Sequence, residues 1–138
     1  MASHKRVVRA VGEIALRVRD LDAMQQFYQE TIGLELMQRF PHAVFFRVAE
    51  SYGGHTQVLA LFDRSVSQPG LKLRAERSTI DHLAFTIALG DYASEKQRLE
   101  DLGLRVETAE HAWVHWRSLY VHDPEGNQVE LVCYDESV

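Results

Sequence analysis

The stretch Ser118-Leu-Tyr-Val-His-Asp-Pro-Glu-Gly-Asn-Gln-Val-Glu-Leu-Val132 decides how the second half of the chain folds. Two runs with alternating or continuous apolar residues flank Asp123-Pro-Glu-Gly-Asn127, where proline presets φ for a turn and the following glycine or asparagine can adopt a positive φ. The stretch therefore predicts a β-hairpin. Alternation in its second strand places the Glu130 carboxylate on one face and Val129 and Leu131 on the other. Glu130 is either a solvent-facing strand residue or a functional group held on a rigid element.

Length and composition indicate a single globular domain. The chain has 138 residues, of which 46% are hydrophobic and 25% charged. This is ordinary for a globular protein of a size that buries about two-thirds of its unfolded surface. No apolar run approaches the roughly 20 residues that span a bilayer, so we expect no membrane association. Residues 1–10 form a short basic tail without the apolar segment of a signal peptide.

Charge and cysteine content narrow the function classes further. The net charge is −5, and no basic cluster follows the tail, which argues against binding to nucleic acid. The single cysteine, Cys133, excludes an internal disulfide and fits a reducing, cytoplasmic location. Because Cys133 ends an apolar strand, we interpret it as a residue that packs in the hydrophobic core and not as a nucleophile.

The order of predicted elements repeats. The first half reads as a strand, a helix and three strands, at 13–18, 21–31, 34–40, 43–49 and 56–62. After a polar linker at 64–79, the second half gives the same order, at 81–87, 91–102, 105–108, 113–121 and 128–134. We expect Asp20 and Asp91 to cap the helices at their N-termini. Gly33 and Gly103 are expected to end them.

This repetition indicates an internal duplication. The strand Glu13-Ile-Ala-Leu-Arg-Val18 aligns with His82-Leu-Ala-Phe-Thr-Ile87, and Gly33-Leu34 aligns with Gly103-Leu104 at nearly the same spacing. The predicted fold class is α+β, with two tandem βαβββ modules at about 11–63 and 80–134 inside one domain, 11–138. Two such sheets side by side would form a half-open barrel with a central cleft.

The duplication places three chemically active side chains at related positions. Glu13 and His82 begin equivalent strands, and Glu130 lies in the last strand of the second module. The first-module counterpart of Glu130 is Ala60, or Leu59 if the register slips by one residue. Two carboxylates and an imidazole suit a divalent cation and leave coordination positions for water or substrate.

Three motifs resemble the vicinal oxygen chelate superfamily, which includes glyoxalases, extradiol dioxygenases, fosfomycin-resistance transferases and bleomycin-binding proteins. They are His82-Leu-Ala-Phe85, the first helix with its ending Ile32-Gly-Leu34, and the segment Leu119–Leu131 with its Asp-Pro-x-Gly-Asn turn. The resemblance extends from about residue 11 to residue 134. It implies paired βαβββ units and metal ligands at Glu13, His82 and Glu130. The resemblance says little about the type of reaction, because one scaffold supports many chemistries.

Two more residues favour one branch of this superfamily. Extradiol dioxygenases place a histidine and a tyrosine beside the metal, at sequence spacings from the last ligand similar to those of His111 and Tyr120 from Glu130. Such groups orient substrate oxygens and transfer protons. The chain also departs from both branches. Those dioxygenases usually present two histidines and one glutamate, whereas Glu13 stands at the first position here. Glyoxalases use four ligands, and Ala60 stands at the fourth.

Each candidate also has a structural interpretation. His82 could be a hydrogen-bonded core histidine, and Glu130 an exposed strand residue. Glu13 could form a surface ion pair with a nearby arginine. His115 competes with His111 for a place in the pocket. Tyr120 could be an ordinary core aromatic residue.

The predicted function is that of a divalent-metal-dependent enzyme acting on a small molecule. The extradiol dioxygenase-like version is favoured on the basis of His111 and Tyr120, with substrate bound to the metal through two oxygens. Carboxylate-rich ligation favours Fe2+ or Mn2+, while Zn2+ or Ni2+ would serve glyoxalase-type lyase or isomerase chemistry. The alternative class is a metal-free binding protein of the bleomycin-resistance kind. The family resemblance also implies a homodimer.

Overall fold

A computed structural model describes residues 9–51, 54–66, 80 and 82–138. The chain divides into two compact units, Met1–Leu71 and Lys72–Val138. Most of the predicted basic tail and of the predicted linker lies outside the described residues. In the part of the chain that is described, no helix has the length and apolar character needed to cross a membrane.

The first unit is a four-stranded sheet with helical turns after its first strand. Its elements are β1 (Glu13–Val18), α1 (Leu21–Gln26), a π-helical turn (Phe27–Ile32), β2 (Glu35–Phe40), β3 (Ala43–Glu50) and β4 (Thr56–Asp63). The strand order is β1-β4-β3-β2, with β1 parallel to β4 and the other neighbours antiparallel.

The second unit repeats this plan. Its elements are β5 (His82–Thr86), a 3₁₀ turn (Leu89–Asp91), α2 (Tyr92–Asp101), β6 (Glu107–His111), β7 (Trp116–His122) and β8 (Gln128–Tyr134). The order β5-β8-β7-β6, with β5 parallel to β8, matches the first sheet strand for strand. The predicted α+β class with two tandem βαβββ modules is confirmed. The predicted cleft stays a prediction.

The helix ends follow the local sequence at three of the four predicted positions. Asp20 accepts a hydrogen bond from the Ala23 backbone N–H at 3.0 Å, which caps α1. Gly33 and Gly103 adopt φ values of 90° and 83° after the helices, a conformation that a Cβ atom would disfavour. Asp91 occupies the N-cap position of α2, as predicted, but its side chain makes no capping hydrogen bond. A 3₁₀ turn that ends at Asp91 leads directly into α2.

One face of each sheet is covered by the helices and forms the core. In the first unit, Met24 and Tyr28 are fully buried, and the Tyr28 ring lies 6.3 Å from the ring of Phe46 on β3. In the second unit, Leu99 of α2 is fully buried, and the Tyr92 hydroxyl donates to the backbone carbonyl of Ser118 on β7. The helix-covered face of the second sheet includes buried Leu119, Val121, Val129, Leu131 and Cys133.

The connection between β6 and β7 differs from the sequence-based prediction. Residues 112–115 form a turn instead of starting a strand, so β6 ends at His111 and β7 begins at Trp116. His115 adopts a φ of 59°, which is unusual for a residue that is not glycine. The strand pattern missed this turn because it contains neither glycine nor proline. In the other hairpin, between β7 and β8, Gly126 adopts the positive φ.

Candidate functional site

The face of each sheet opposite its helices is here called the helix-free face. In the second unit, its residues alternate with the buried core residues along the strands. The strand register places Tyr120 directly opposite Glu130, and Glu130 directly beside Ala84. His82 lies two residues before Ala84 and therefore shares this face. Three neighbouring strands thus bring His82, Glu130 and Tyr120 together.

His82 and Glu130 form the centre of this group. The Nε2 atom of His82 lies 3.8 Å from Oε2 of Glu130. Glu130 is buried, with 6% of its surface exposed, whereas His82 is partly exposed. A buried carboxylate is costly unless it is paired or coordinates a cation. Glu130 is therefore not the solvent-facing strand residue that the sequence left open, and its burial favours a functional role.

The spacing of these two groups fits metal coordination. Metal–nitrogen and metal–oxygen bonds of about 2.0–2.2 Å, at angles of about 90–120°, place neighbouring donor atoms roughly 3 to 3.8 Å apart. The observed 3.8 Å lies at the upper end of that range. Imidazole nitrogen and carboxylate oxygen are ligands for Fe, Mn and Zn. Among the described residues, however, no group of three or more His, Cys, Asp and Glu side chains is placed to hold a metal ion. His82 and Glu130 therefore fit as two ligands of a metal centre whose other ligands would come from elsewhere.

A second pair lies beside the first on the same sheet. The Nε2 atom of His111, at the end of β6, lies 3.0 Å from the Tyr120 hydroxyl, within hydrogen-bond distance. Burial raises the pKa of the Tyr120 phenol, and a hydrogen-bonding interaction with the Glu130 carboxylate raises it further. Interaction with Ser118 acts in the opposite direction. Tyr120 therefore keeps its proton at neutral pH and can donate it in a hydrogen bond.

His111, not His115, is the histidine that contacts Tyr120. His115 makes different contacts, since its Nδ1 atom lies 2.7 Å from the backbone oxygen of Val138. His115 also packs edge-on against the Tyr134 ring. The competition between the two histidines, which the sequence left open, is thus decided by the turn at residues 112–115.

Sequence reasoning overlooked Ser118. This residue is fully buried on the helix-free face, two positions before Tyr120 on β7. Among the described residues, its hydroxyl has no hydrogen-bond partner of ordinary geometry. Buried polar atoms in folded proteins are nearly always paired, so such a hydroxyl calls for an explanation. The available signal was the position of Ser118 on the same strand face as Tyr120.

The first unit carries different side chains at the matching positions. Glu13 pairs with Val58 and Ala15 with Ala60, in the same register as His82 with Gln128 and Ala84 with Glu130. This register identifies Ala60, and not Leu59, as the counterpart of Glu130. Phe45 lies opposite Ala60, just as Tyr120 lies opposite Glu130. The rings of Phe40, Phe45 and Phe62 pack edge-to-face, with centroids 5.9 Å and 5.7 Å apart.

Glu13 occupies the position equivalent to His82, as predicted. It begins β1 on the helix-free face of the first sheet, and its side chain is exposed. The first unit supplies no second ligand at the Ala60 position. Whether Glu13 binds a metal therefore stays a prediction.

Comparison with known proteins agrees with this architecture. Residues 10–131 match the model of the Glyoxalase/Bleomycin resistance protein/Dioxygenase superfamily. The chain belongs to this superfamily, which defines its class as a two-module protein of the vicinal oxygen chelate fold.

Two curated relatives and one solved structure illustrate the range of chemistry in the family. Biphenyl-2,3-diol 1,2-dioxygenase 3 of Rhodococcus globerulus is 32% identical over 127 residues, which are 91% of this chain and 63% of that protein. Glutathione transferase FosA of Serratia marcescens is 25% identical over 91% of this chain and 81% of its own length. The crystal structure of lactoylglutathione lyase from Agrobacterium tumefaciens is 30% identical, with a TM-score of 0.68, and covers 93% of this chain and 96% of that one. The chain thus spans less than two-thirds of the dioxygenase.

Proposed function

We propose that this protein is a metal-dependent enzyme of the extradiol dioxygenase type, acting on a small substrate that offers two neighbouring oxygen atoms. The observation that carries the proposal is the His111–Tyr120 pair, at 3.0 Å, on the sheet face that also holds His82 and Glu130. A hydrogen-bonded imidazole and phenol beside a ligand pair are suited to proton transfer at a bound substrate. The 32% identity to a biphenyl-diol dioxygenase supports the same branch.

His82 and Glu130 would hold the metal, and Glu13 is the proposed third ligand. When bound, a divalent cation acts as a Lewis acid and as a template that fixes two substrate oxygens. Burial of Glu130 keeps water away from its carboxylate, which strengthens its attraction for a cation. The carboxylate-rich donor set favours Fe2+ or Mn2+ over Zn2+ or Ni2+.

Tyr120 and His111 would handle the substrate protons. The raised pKa of Tyr120 keeps its hydroxyl protonated, so that it can donate a hydrogen bond to a negatively charged substrate oxygen. The Nε2 atom of His111 accepts a hydrogen bond from the Tyr120 hydroxyl, or its N–H donates one to the hydroxyl oxygen, depending on the tautomer of His111. His111 would thereby hold the phenol in place and exchange a proton with it as the substrate is deprotonated.

A glyoxalase-type lyase or isomerase is the second candidate. It is supported by the 30% identity to a lactoylglutathione lyase over nearly the whole chain. The presence of Ala60 at the fourth ligand position argues against it. Both neighbouring strands fix Ala60 at this position, so no carboxylate takes its place. A metal-free binding protein is a third candidate, and the spacing of the His82–Glu130 pair argues against it.

The test is to load purified protein with Fe2+ or Mn2+ under anaerobic conditions, to add a panel of catechols, and to measure oxygen uptake. We expect uptake with at least one catechol and its loss in His82→Ala. Isomerisation of hemithioacetals without oxygen uptake would support the glyoxalase candidate. Elemental analysis separates both from a binding protein, since metal content that His82→Ala leaves unchanged would overturn the metalloenzyme proposal. Sedimentation of the same protein tests the proposed homodimer.

A further inference from the structure

We infer that Ser118 is a positioning residue for Tyr120: its buried hydroxyl holds the Tyr120 hydroxyl against His111 in the working site. The inference rests on the proposed function, because it assigns Tyr120 a role in proton handling. It adds a residue that neither the motifs nor the metal-ligand pattern identifies.

Burial is the first argument. Ser118 has no exposed surface, and its hydroxyl finds no partner of ordinary hydrogen-bond geometry among the described residues. Removing a hydroxyl from water without a partner destabilises the folded protein. Alanine would fill almost the same space without that cost. The serine is therefore not explained by packing alone.

The neighbours of Ser118 provide the second argument. Its cross-strand partners are Ala109 on β6 and Val132 on β8, and neither side chain can form a hydrogen bond. Tyr120 lies two residues along the same strand and on the same face, and the nearby Ser118 hydroxyl lowers the pKa of the Tyr120 phenol. That interaction lies outside ordinary hydrogen-bond geometry in this structure. Hydrogen bonds of active sites are often long in the free protein and shorten when substrate binds.

The first unit supplies the third argument. The strand register makes Ala43 the counterpart of Ser118 and Phe45 the counterpart of Tyr120. Both hydroxyls are present in the second unit and both are absent from the first. The serine and the tyrosine therefore occur together, on the unit that also carries His82 and Glu130.

The bonding capacity of the phenol fits this assignment. A tyrosine hydroxyl donates one hydrogen bond and accepts others. His111 can take the phenol proton, and the Ser118 hydroxyl can donate to the phenol oxygen. Two contacts from different strands then fix both the position and the direction of the Tyr120 hydroxyl. They act together with the Glu130 carboxylate, which also interacts with the Tyr120 hydroxyl.

A double-mutant cycle tests the inference. Wild type, Ser118→Ala, Tyr120→Phe and the double variant are loaded with Fe2+ and assayed on the same catechol. We expect Ser118→Ala to lower kcat about tenfold, which is the rate equivalent of one hydrogen bond, and to leave KM nearly unchanged. We expect no further loss from Ser118→Ala when residue 120 is phenylalanine. Ser118→Thr, which keeps a hydroxyl, should restore most of the rate. Ser94→Ala, which changes an exposed serine on α2, is the control and should act like wild type.

A second measurement keeps the inference separate from the proposed function. The ¹⁵N resonance of His111 Nε2 is recorded at fixed pH in the metal-free protein, where no turnover is needed. We expect Ser118→Ala to shift this resonance when Tyr120 is present and to leave it unshifted in the Tyr120→Phe background. A protein without turnover that still shows this coupling overturns the dioxygenase proposal and supports the positioning role. An unchanged His111 resonance, or rate losses that simply multiply in the double variant, overturns the positioning role.

Discussion

The helix-free faces of the two sheets share one backbone plan and carry opposite chemistry. Where the second unit places His82, Tyr120 and Glu130, the first places Glu13, Phe45 and Ala60 at the same register positions. The second face thus carries imidazole, phenol and carboxylate groups at these positions, while the first carries a carboxylate, a phenyl ring and a methyl group. The difference shows that the two units share one strand register and differ in the side chains that this register brings together.

The core of each unit gives the largest expected effect and should not distinguish the units. Leu61 and Leu131 occupy equivalent buried positions on the helix-covered faces. Replacing either by alanine leaves a cavity, and we expect each change to lower the free energy of unfolding by about 2–5 kcal/mol. Urea denaturation measures this. A loss in one variant only would show that the two units are not equivalent in their cores.

The proposed metal ligands of the second unit give the next largest expected effect. We expect His82→Ala and Glu130→Ala each to weaken Mn2+ binding at least about a hundredfold, since even changing a residue that only orients a metal ligand costs about ten- to hundredfold. Isothermal titration calorimetry measures the affinity. Ala84→Ser, on the same face between these ligands, is the matched control and should bind as wild type does.

A substitution at Glu13 tests whether the first unit contributes a ligand to metal binding. If Glu13 is the third ligand, Glu13→Gln lowers Mn2+ affinity about as much as the changes in the second unit do. Glu35→Gln, at an exposed acid on β2 of the same unit, serves as the control for lost charge. Equal affinities for Glu13→Gln and wild type would assign the centre to other ligands.

Tyr120 offers a smaller but more specific contrast. We expect Tyr120→Phe to lower turnover about ten- to hundredfold and to leave Mn2+ binding unchanged, because the phenol acts on protons and not on the metal. The converse change, Phe45→Tyr, places a hydroxyl at the equivalent position of the first unit and should leave turnover as it is. A Tyr120→Phe enzyme with full activity would remove the phenol from the mechanism.

The glycines that end the helical segments should give the smallest effects. Gly33 and Gly103 both adopt left-handed φ values with open space around them. Replacing either by alanine introduces strain without a clash, and we expect each variant to lose about 1 kcal/mol of folding free energy. Thermal unfolding detects a loss of this size. Unequal losses would show that the equivalence of the units ends at their sheets.

The sequence predicts the fold far better than the site. Alternation of apolar residues and the repeated Gly-Leu pair are local signals, and they lead directly to the two βαβββ modules. The pairing of His82 with Glu130 follows once the duplication is recognised. Ser118 could not be assigned in the same way, because an isolated serine in a strand carries no pattern. The choice of His111 over His115 depends on a turn that contains no glycine or proline, and such turns leave little trace in a sequence.

The parallel pairing of β5 with β8 has a consequence for how the site forms. These strands are the first and the last of the second unit in sequence, although they are neighbours in its sheet. His82 and Glu130 are therefore brought together by one of the longest-range contacts of the unit. Contacts between distant segments close large loops and form slowly during folding. The β7–β8 hairpin, by contrast, can form locally. The ligand pair would then be one of the last features to assemble on the folding pathway. A cation that binds this pair would therefore bind the completed unit and not its intermediates, and it would stabilise the native state selectively.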